Sequence, residues 1–198
     1  MNPKVSICIP FHFGMKNWQF FMTRCLESIE KQTFKDYEVV LINHSTMPVT
    51  SNRVIESATG ELIKILYIDD WLESEDYLEK VYQTFLDKEV EWIITSANNN
   101  PNPYWTDNIH TGNNKLGSPS ALAFRNNLNE IGNEMFDESL SWLLDADLYE
   151  RLEKRFGKPT ILTDINVGIG IGEHQMTNIL TQEEKLSEFN YLKTKYNA

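Results

Sequence analysis

Residues 4–42 set down a strand, a helix and a second strand, and that order leaves few folds open. Residues 4–9 read as a short strand ended by Pro10, and residues 38–42 (Glu-Val-Val-Leu-Ile) as a second, buried strand. Between them Trp18, Phe21, Met22, Cys25, Leu26 and Ile29 recur at helical spacing, which predicts a helix over residues 17–31 with one core-facing stripe. Two strands separated by a helix cannot close as a hairpin. They are expected to lie parallel, joined by a right-handed crossover.

The alternation continues. Residues 52–58 suggest a short helix closed by Gly60, and residues 62–68 a strand. Ser74 is placed to cap a helix reaching about residue 87, with Glu75 and Asp76 in its first turn and Tyr77, Leu78, Val81, Tyr82, Phe85 and Leu86 on its buried face. Strands are expected at residues 91–96 and 120–124. An amphipathic helix over residues 145–156 turns Leu148, Tyr149, Leu152 and Phe156 inward and stops at Gly157 and Pro159. Residues 134–144 are irregular, two short strands follow at 160–165 and 167–171, and Thr181 with Glu184 forms a capping box for a polar C-terminal helix. This is an α/β pattern with a mostly parallel central sheet flanked by helices. At 198 residues one domain suffices. Residues 97–114 break the rhythm, being rich in Asn with Pro101 and Pro103. Such a stretch is either a binding loop or lid, or a disordered surface insertion.

The strand at 62–68 stops at two adjacent carboxylates, Asp69 and Asp70. In α/β proteins ligands sit beyond the carboxyl ends of strands, so an acidic pair there can hold a divalent cation through hard oxygen ligands; capping of a following helix is the plainer alternative. The formal net charge of −11 disfavours broad contact with a nucleic-acid backbone, although a phosphorylated small ligand stays open if a metal or local cations neutralise it. Cys8 and Cys25 both fall on apolar positions and read as small buried hydrophobes, which together with the lack of a signal peptide or an 18-residue apolar run suggests a cytoplasmic setting without a transmembrane segment.

Several short motifs occur in a fixed order. They are Val5-Ser6-Ile7-Cys8-Ile9-Pro10; Leu26-Glu27-Ser28 followed by Gln32-Thr33-Phe34; Tyr37-Glu38-Val39-Val40-Leu41-Ile42; Asn52 with Ala58-Thr59-Gly60-Glu61; Asp69-Asp70-Trp71; and Asp145-Ala146-Asp147-Leu148-Tyr149-Glu150-Arg151-Leu152. In this order, over roughly residues 4–175, they resemble glycosyltransferase family 2, inverting enzymes of the GT-A fold that use nucleotide-diphosphate sugars. The chain departs from the family where Asn43-His44 replace an acidic pair, Tyr67 replaces the first Asp of the aspartate motif and Leu144 replaces an acid. The stretch between Thr46 and Ser51 is also shortened.

The resemblance implies a nucleotide-sugar-binding half (residues 1–96), a catalytic and acceptor half (97–175) and a C-terminal helix (176–198). It implies a metal-dependent inverting transfer with a UDP-sugar as the foremost donor. Asp145 is the candidate base. Pro10, Phe11, His12, Asn43, Asn52, Arg53, Tyr67, Ile68 and Asp69 are candidates for the nucleotide sugar. Gly117, Ser118, Trp142 and Leu144 are candidates for the sugar and acceptor side. Asp69 and His174, with Asp70 in support, are candidates for Mn²⁺ or Mg²⁺. Imidazole beside carboxylate tilts that choice toward Mn²⁺. Asp145 opens a helix whose dipole lowers its pKa, so an apolar setting such as Trp142, Leu143 and Leu144 is needed to keep it basic. The acceptor is open among a glycan, a lipid carrier, a protein side chain and a modified nucleobase. The alternatives are a transferase fold reduced to binding a sugar nucleotide or a partner protein, and a nucleotidyltransferase, for which Phe11-His12-Phe13-Gly14 is a poor phosphate loop.

Overall fold

The computed structural model describes residues 2–127 and 135–197; of the irregular stretch above, Glu134 lies outside the described residues. Strands β1 (Val5–Phe11), β2 (Tyr37–Asn43), β3 (Leu62–Ile65), β4 (Trp71–Leu72), β5 (Trp92–Ala97), β6 (Leu122–Arg125) and β7 (Thr160–Gly168) form one sheet in the order β2-β1-β3-β6-β5-β7-β4. β1 lies parallel to both β2 and β3, and β5 parallel to β7; β6 and the short β4 run the other way. The sheet is therefore mostly parallel.

The helices α1 (Trp18–Glu30), α2 (Met47–Glu56), α3 (Tyr77–Thr84), α4 (Leu144–Phe156), α5 (Met176–Ile179) and α6 (Gln182–Asn197) complete the order. Period-2 alternation along β1 divides the core. Val5, Ile7 and Ile9 pack toward Met22, Cys25 and Ile29 of α1 and Tyr77, Leu78 and Val81 of α3. Cys8, with Ile63 and Ile65 of β3, packs toward Val54 and Ile55 of α2, Leu148 and Leu152 of α4 and Leu192 of α6. Both cysteines are free and fully buried, and burial pushes both thiols up, so they act as small hydrophobes.

Several expectations change. β1 runs through Pro10 to Phe11, because beyond Cys8 it pairs, among the described residues, with β2 alone, and a proline is tolerated where one flank of a strand makes no ladder bonds. β2 is an edge strand, which leaves Val39 and Leu41 exposed where a buried strand is expected. Leu26 and Leu86, assigned to buried faces, are also exposed. α2 starts at Met47 rather than 52, helped by Pro48 in its first turn. The two strands expected at 160–171 are the single strand β7, which absorbs a register shift opposite Thr95 and Ser96.

The strand expected at 62–68 ends at Ile65. The Leu66 N–H still reaches Cys8 O (3.0 Å), but the Tyr67 N–H turns to Ser120 Oγ (2.9 Å), and the chain then folds over Tyr67–Asp70 into β4. The Asn-rich stretch is ordered. Asn100 donates to Lys115 O and Ser96 Oγ to Pro101 O, and Ile109 is buried beneath it.

Candidate active site at the strand tips

The two carboxylates at the end of β3 take opposite directions. Asp69 faces outward, and its Oδ2 lies 2.8 Å from His174 Nε2, both side chains being mostly but not fully buried. Asp70 turns inward at 2% exposure and accepts the Gly170 N–H on Oδ1 (2.8 Å). It shares that interior with Lys64, which is fully buried, hydrogen-bonded to Ser120 O and 5.0 Å from the Tyr77 ring centroid. Burial disfavours charge on both, raising the Asp70 carboxyl and lowering the Lys64 ammonium. Asp70 thus anchors the end of β7 through Gly170, with its carboxylate buried next to that of Asp69.

Alternate glycines bring His174 to Asp69. A Cβ on Gly168 would fall 2.0 Å from the Trp71 ring, and one on Gly170 would fall 2.3 Å from Asp69 O. The end of β7 can therefore lie directly against the Asp69–Trp71 backbone, and the following turn delivers His174. Arg24 of α1 braces the same turn, donating to Asp69 O while its guanidinium lies 3.9 Å from the Trp71 ring centroid.

Beside this pair opens a cleft of about 730 Å³ between the β1–α1 loop, the β2–α2 loop and the segment carrying α5. Phe11 and His12 line it, as does His174. Lys16 brings a cation to its wall, while Met47, Pro48 and Met176 supply an apolar surface. The Gly14 N–H donates to His12 Nδ1 (2.9 Å), and the Phe13 N–H donates to Asn43 Oδ1 (3.3 Å), so Asn43 ties the tips of β1 and β2 together.

Asp145 sits in the first turn of α4. Asn114 Nδ2 donates to its Oδ2 (2.8 Å) and the Ala146 N–H to its Oδ1 (2.7 Å). The side chain is half-buried, and burial pushes its carboxyl up to about 6 against these hydrogen bonds. Desolvation thus outweighs the helix dipole that alone would lower it. Tyr67 feels the charge of both carboxylate sites: burial first, and then Asp145, Asp70 and Asp69, raise its phenol, while a contact with Ser51 works the other way.

The other candidates have contacts of their own in the structure. Asn52 donates to the Phe136 carbonyl (2.9 Å) and accepts its N–H (2.7 Å), and it is not among the residues that line the cleft. Arg53 is exposed on α2, Ile68 and Leu144 are core residues, and Ser118 caps the short helical turn at Pro119–Ala121. Pro10 is buried in β1. The Gly117 carbonyl accepts from Tyr149 OH (3.2 Å) and Asn114 (3.1 Å), beside Asp145, and Trp142 donates to Thr177 Oγ1 (3.1 Å).

Residues that the sequence reading passed over complete the site: Lys16, Arg24, Asn114, Ser120 and Glu188. The alternation Gly168-x-Gly170-x-Gly172 was a legible signal of close backbone approach. Asn114 lay hidden in an Asn-rich stretch, and Glu188 in a polar helix.

No family model and no curated protein matches the chain. Solved structures do. The S. aureus TarS 1–349 complex with UDP-GlcNAc superposes with a TM-score of 0.66 at 17% identity, covering 97% of this chain and 66% of that one. The complex with UDP gives 0.63 at 15%, covering 97% and 65%. The mannosyltransferase PcManGT from Pyrobaculum calidifontis, in complex with GDP-Man and Mn²⁺, gives 0.59 at 15%, covering 88% and 59%. The chain spans less than two thirds of the TarS–UDP chain and 44% of a longer TarS chain. At these identities the likeness establishes the fold: a divergent fold of the glycosyltransferase type, an α/β sheet flanked by helices.

Proposed function

We propose that this chain is an inverting glycosyltransferase domain that moves a sugar from a nucleotide-diphosphate donor to an acceptor hydroxyl. The observation that carries the reading is a carboxylate–imidazole pair and a carboxylate whose pKa burial brings to about 6, both within electrostatic reach of one buried side chain, Tyr67. What the structural neighbours bind (UDP, UDP-GlcNAc and GDP-Man) supports a nucleotide-sugar donor.

In this reading the base and ribose occupy the cleft, between Phe11 and His12 on one side and Met47 and Pro48 on the other, with Lys16 at its wall. The donor set fits a divalent cation. Asp69 and His174 offer a carboxylate oxygen and an imidazole nitrogen already in contact, and no three His, Cys, Asp or Glu side chains converge among the described residues. A two-ligand protein site suits a metal that takes its remaining oxygens from a diphosphate. Asp69 and His174 would hold Mn²⁺ or Mg²⁺, and the ion would neutralise the leaving diphosphate as a Lewis acid.

Asp145 removes the acceptor proton. One lone pair on each of its oxygens is engaged by Asn114 or Ala146, which leaves room on the carboxylate for the acceptor hydroxyl. The acceptor oxygen bonds to the anomeric carbon while the bond to the diphosphate oxygen breaks and its electron pair leaves with the nucleoside diphosphate. A single displacement of this kind inverts the anomeric carbon. With a pKa of about 6 the base is ionised at neutral pH yet still accepts a proton readily.

The test is purified protein with Mn²⁺ and a panel of UDP- and GDP-sugars. Thermal stabilisation together with release of nucleoside diphosphate is expected. Neither effect with any donor would overturn the reading.

A further inference from the structure

We propose that Glu188, on the C-terminal helix α6, is a positioning residue for Asp145: its carboxylate holds the backbone from which α4 and its base start. This deepens the transferase reading and rests on it for the catalytic role of Asp145.

The geometry is unusual for an exposed polar helix. One carboxylate accepts three consecutive backbone N–H groups, from Ser141 on Oε1 (2.8 Å) and from Trp142 and Leu143 on Oε2 (2.9 Å each). Leu143 is the N-cap of α4 and has no side-chain capping bond, so the approach to α4 lacks a local acceptor. Glu188 supplies it from a different helix. A negative charge at this end also favours the α4 dipole.

The far end of α6, on the same face, is fixed as firmly to α4. Tyr196 OH donates to Asp147 Oδ1 (2.6 Å), Lys195 Nζ lies 2.7 Å from the same oxygen, and Leu192 is fully buried. The first turn of α4, with Asp145 in it, is thus held between two anchor points on one helix. Sideways movement of Asp145 relative to a bound acceptor is what such a clamp prevents, and small misplacements of a catalytic group are costly.

Glu188 also acts on Asp145 through its charge. The groups around Asp145 are Asn114 from the long loop, Tyr67 from the β3–β4 turn, Tyr149 from α4 itself and Glu188 from α6. After burial and its hydrogen bonds, the Glu188 carboxylate adds to the raising of the Asp145 pKa. It is the one like charge in that set. Removing the charge favours ionised Asp145 and lowers its pKa.

Two readouts separate this role from simple support of the fold. The first is a ¹³C-carboxyl NMR titration of Asp145, assigned with Asp145→Asn, in the wild type, in Glu188→Gln and in Glu184→Gln. The last removes a charge from the exposed capping box of the same helix. The second is the pH profile of kcat/KM for transfer in the same proteins. In Glu188→Gln the Asp145 midpoint is expected to fall by about half a unit or more, with the acidic limb of the profile moving equally. kcat is expected to fall roughly tenfold to a hundredfold, with the donor KM within about twofold. Glu184→Gln should change neither. An unchanged Asp145 midpoint in Glu188→Gln, or an equal shift in Glu184→Gln, would overturn the proposal. A shifted midpoint in a protein without transfer activity would uphold the coupling and refute the transferase reading instead.

Discussion

On the β7 side of the site, Asp69 meets an ionisable partner, the His174 imidazole at 2.8 Å, within a turn that alternate glycines press against the sheet. On the α4 side, Asp145 receives hydrogen bonds from neutral donors, the Asn114 amide and backbone N–H groups, and is left in surroundings where burial dominates. The first arrangement suits a carboxylate that shares a cation with an imidazole. The second suits a carboxylate that takes up a proton. Similar side chains thus acquire different chemistry from their surroundings, as Asp69 and its inward-facing neighbour Asp70 also demonstrate.

That contrast can be broken from either side. The largest effect is expected for Asp145→Asn: transfer should fall by about 10²–10⁴-fold, the usual span for a positioned base, when initial rates are compared with wild type. On the other side, Gly170→Ala forces a Cβ against Asp69 O, a backbone atom that cannot swing away. Overpacking of this kind costs about 1–3 kcal/mol, or a melting temperature lower by roughly 2–12 °C on thermal denaturation, and should weaken metal-dependent nucleotide binding as well. Asn114→Ala, which touches only the Asp145 side, should leave that binding intact.

A smaller effect follows for Asp69→Asn and His174→Ala. Each should reduce the affinity for a nucleoside diphosphate with Mn²⁺ about tenfold, near 1.4 kcal/mol by titration calorimetry, and reduce it little in the absence of metal. The smallest effect is on stability against pH. The folded pKa of Asp145, about 6, stands above its ordinary value of 3.8, so the folded state holds the proton more tightly. The stability this group contributes is complete below pH 3.8 and is lost as pH rises through about 6. Solvent still reaches the side chain, so the loss should be on the order of 1 kcal/mol rather than the full value of the shift. Denaturant titrations from pH 4 to 7 should show this decline in wild type and a flatter curve in Asp145→Asn.

The order of strands and helices was legible because each buried face repeats apolar residues at its own period, as in α1 and β1. The Asp145 helix and the Asp69 strand end could be named for the same reason. Less legible was where a strand yields to a turn. Residues 66–68 are as apolar as β3, but the Ser120 hydroxyl, more than 50 positions away, captures the Tyr67 N–H and ends the ladder. Nor could local sequence tell Asp69 from Asp70, since which carboxylate points inward depends on Gly170, 100 positions along the chain, as well as on the buried Lys64 of β3. Asn52 carried a motif resemblance, yet its amide is consumed by Phe136, a contact 84 positions along the chain. Glu188 had no signal at all: its role exists only because α6 packs across the start of α4.

The separation of the two sides is tested most directly by titration calorimetry of UDP and GDP with Mn²⁺ into wild type, Asp69→Asn and Asp145→Asn. Binding by wild type, about tenfold weaker binding by Asp69→Asn and unchanged binding by Asp145→Asn are the predicted results. Equal losses in both variants, or no dependence on Asp69, would contradict the division of the site into a nucleotide–metal side and a base side.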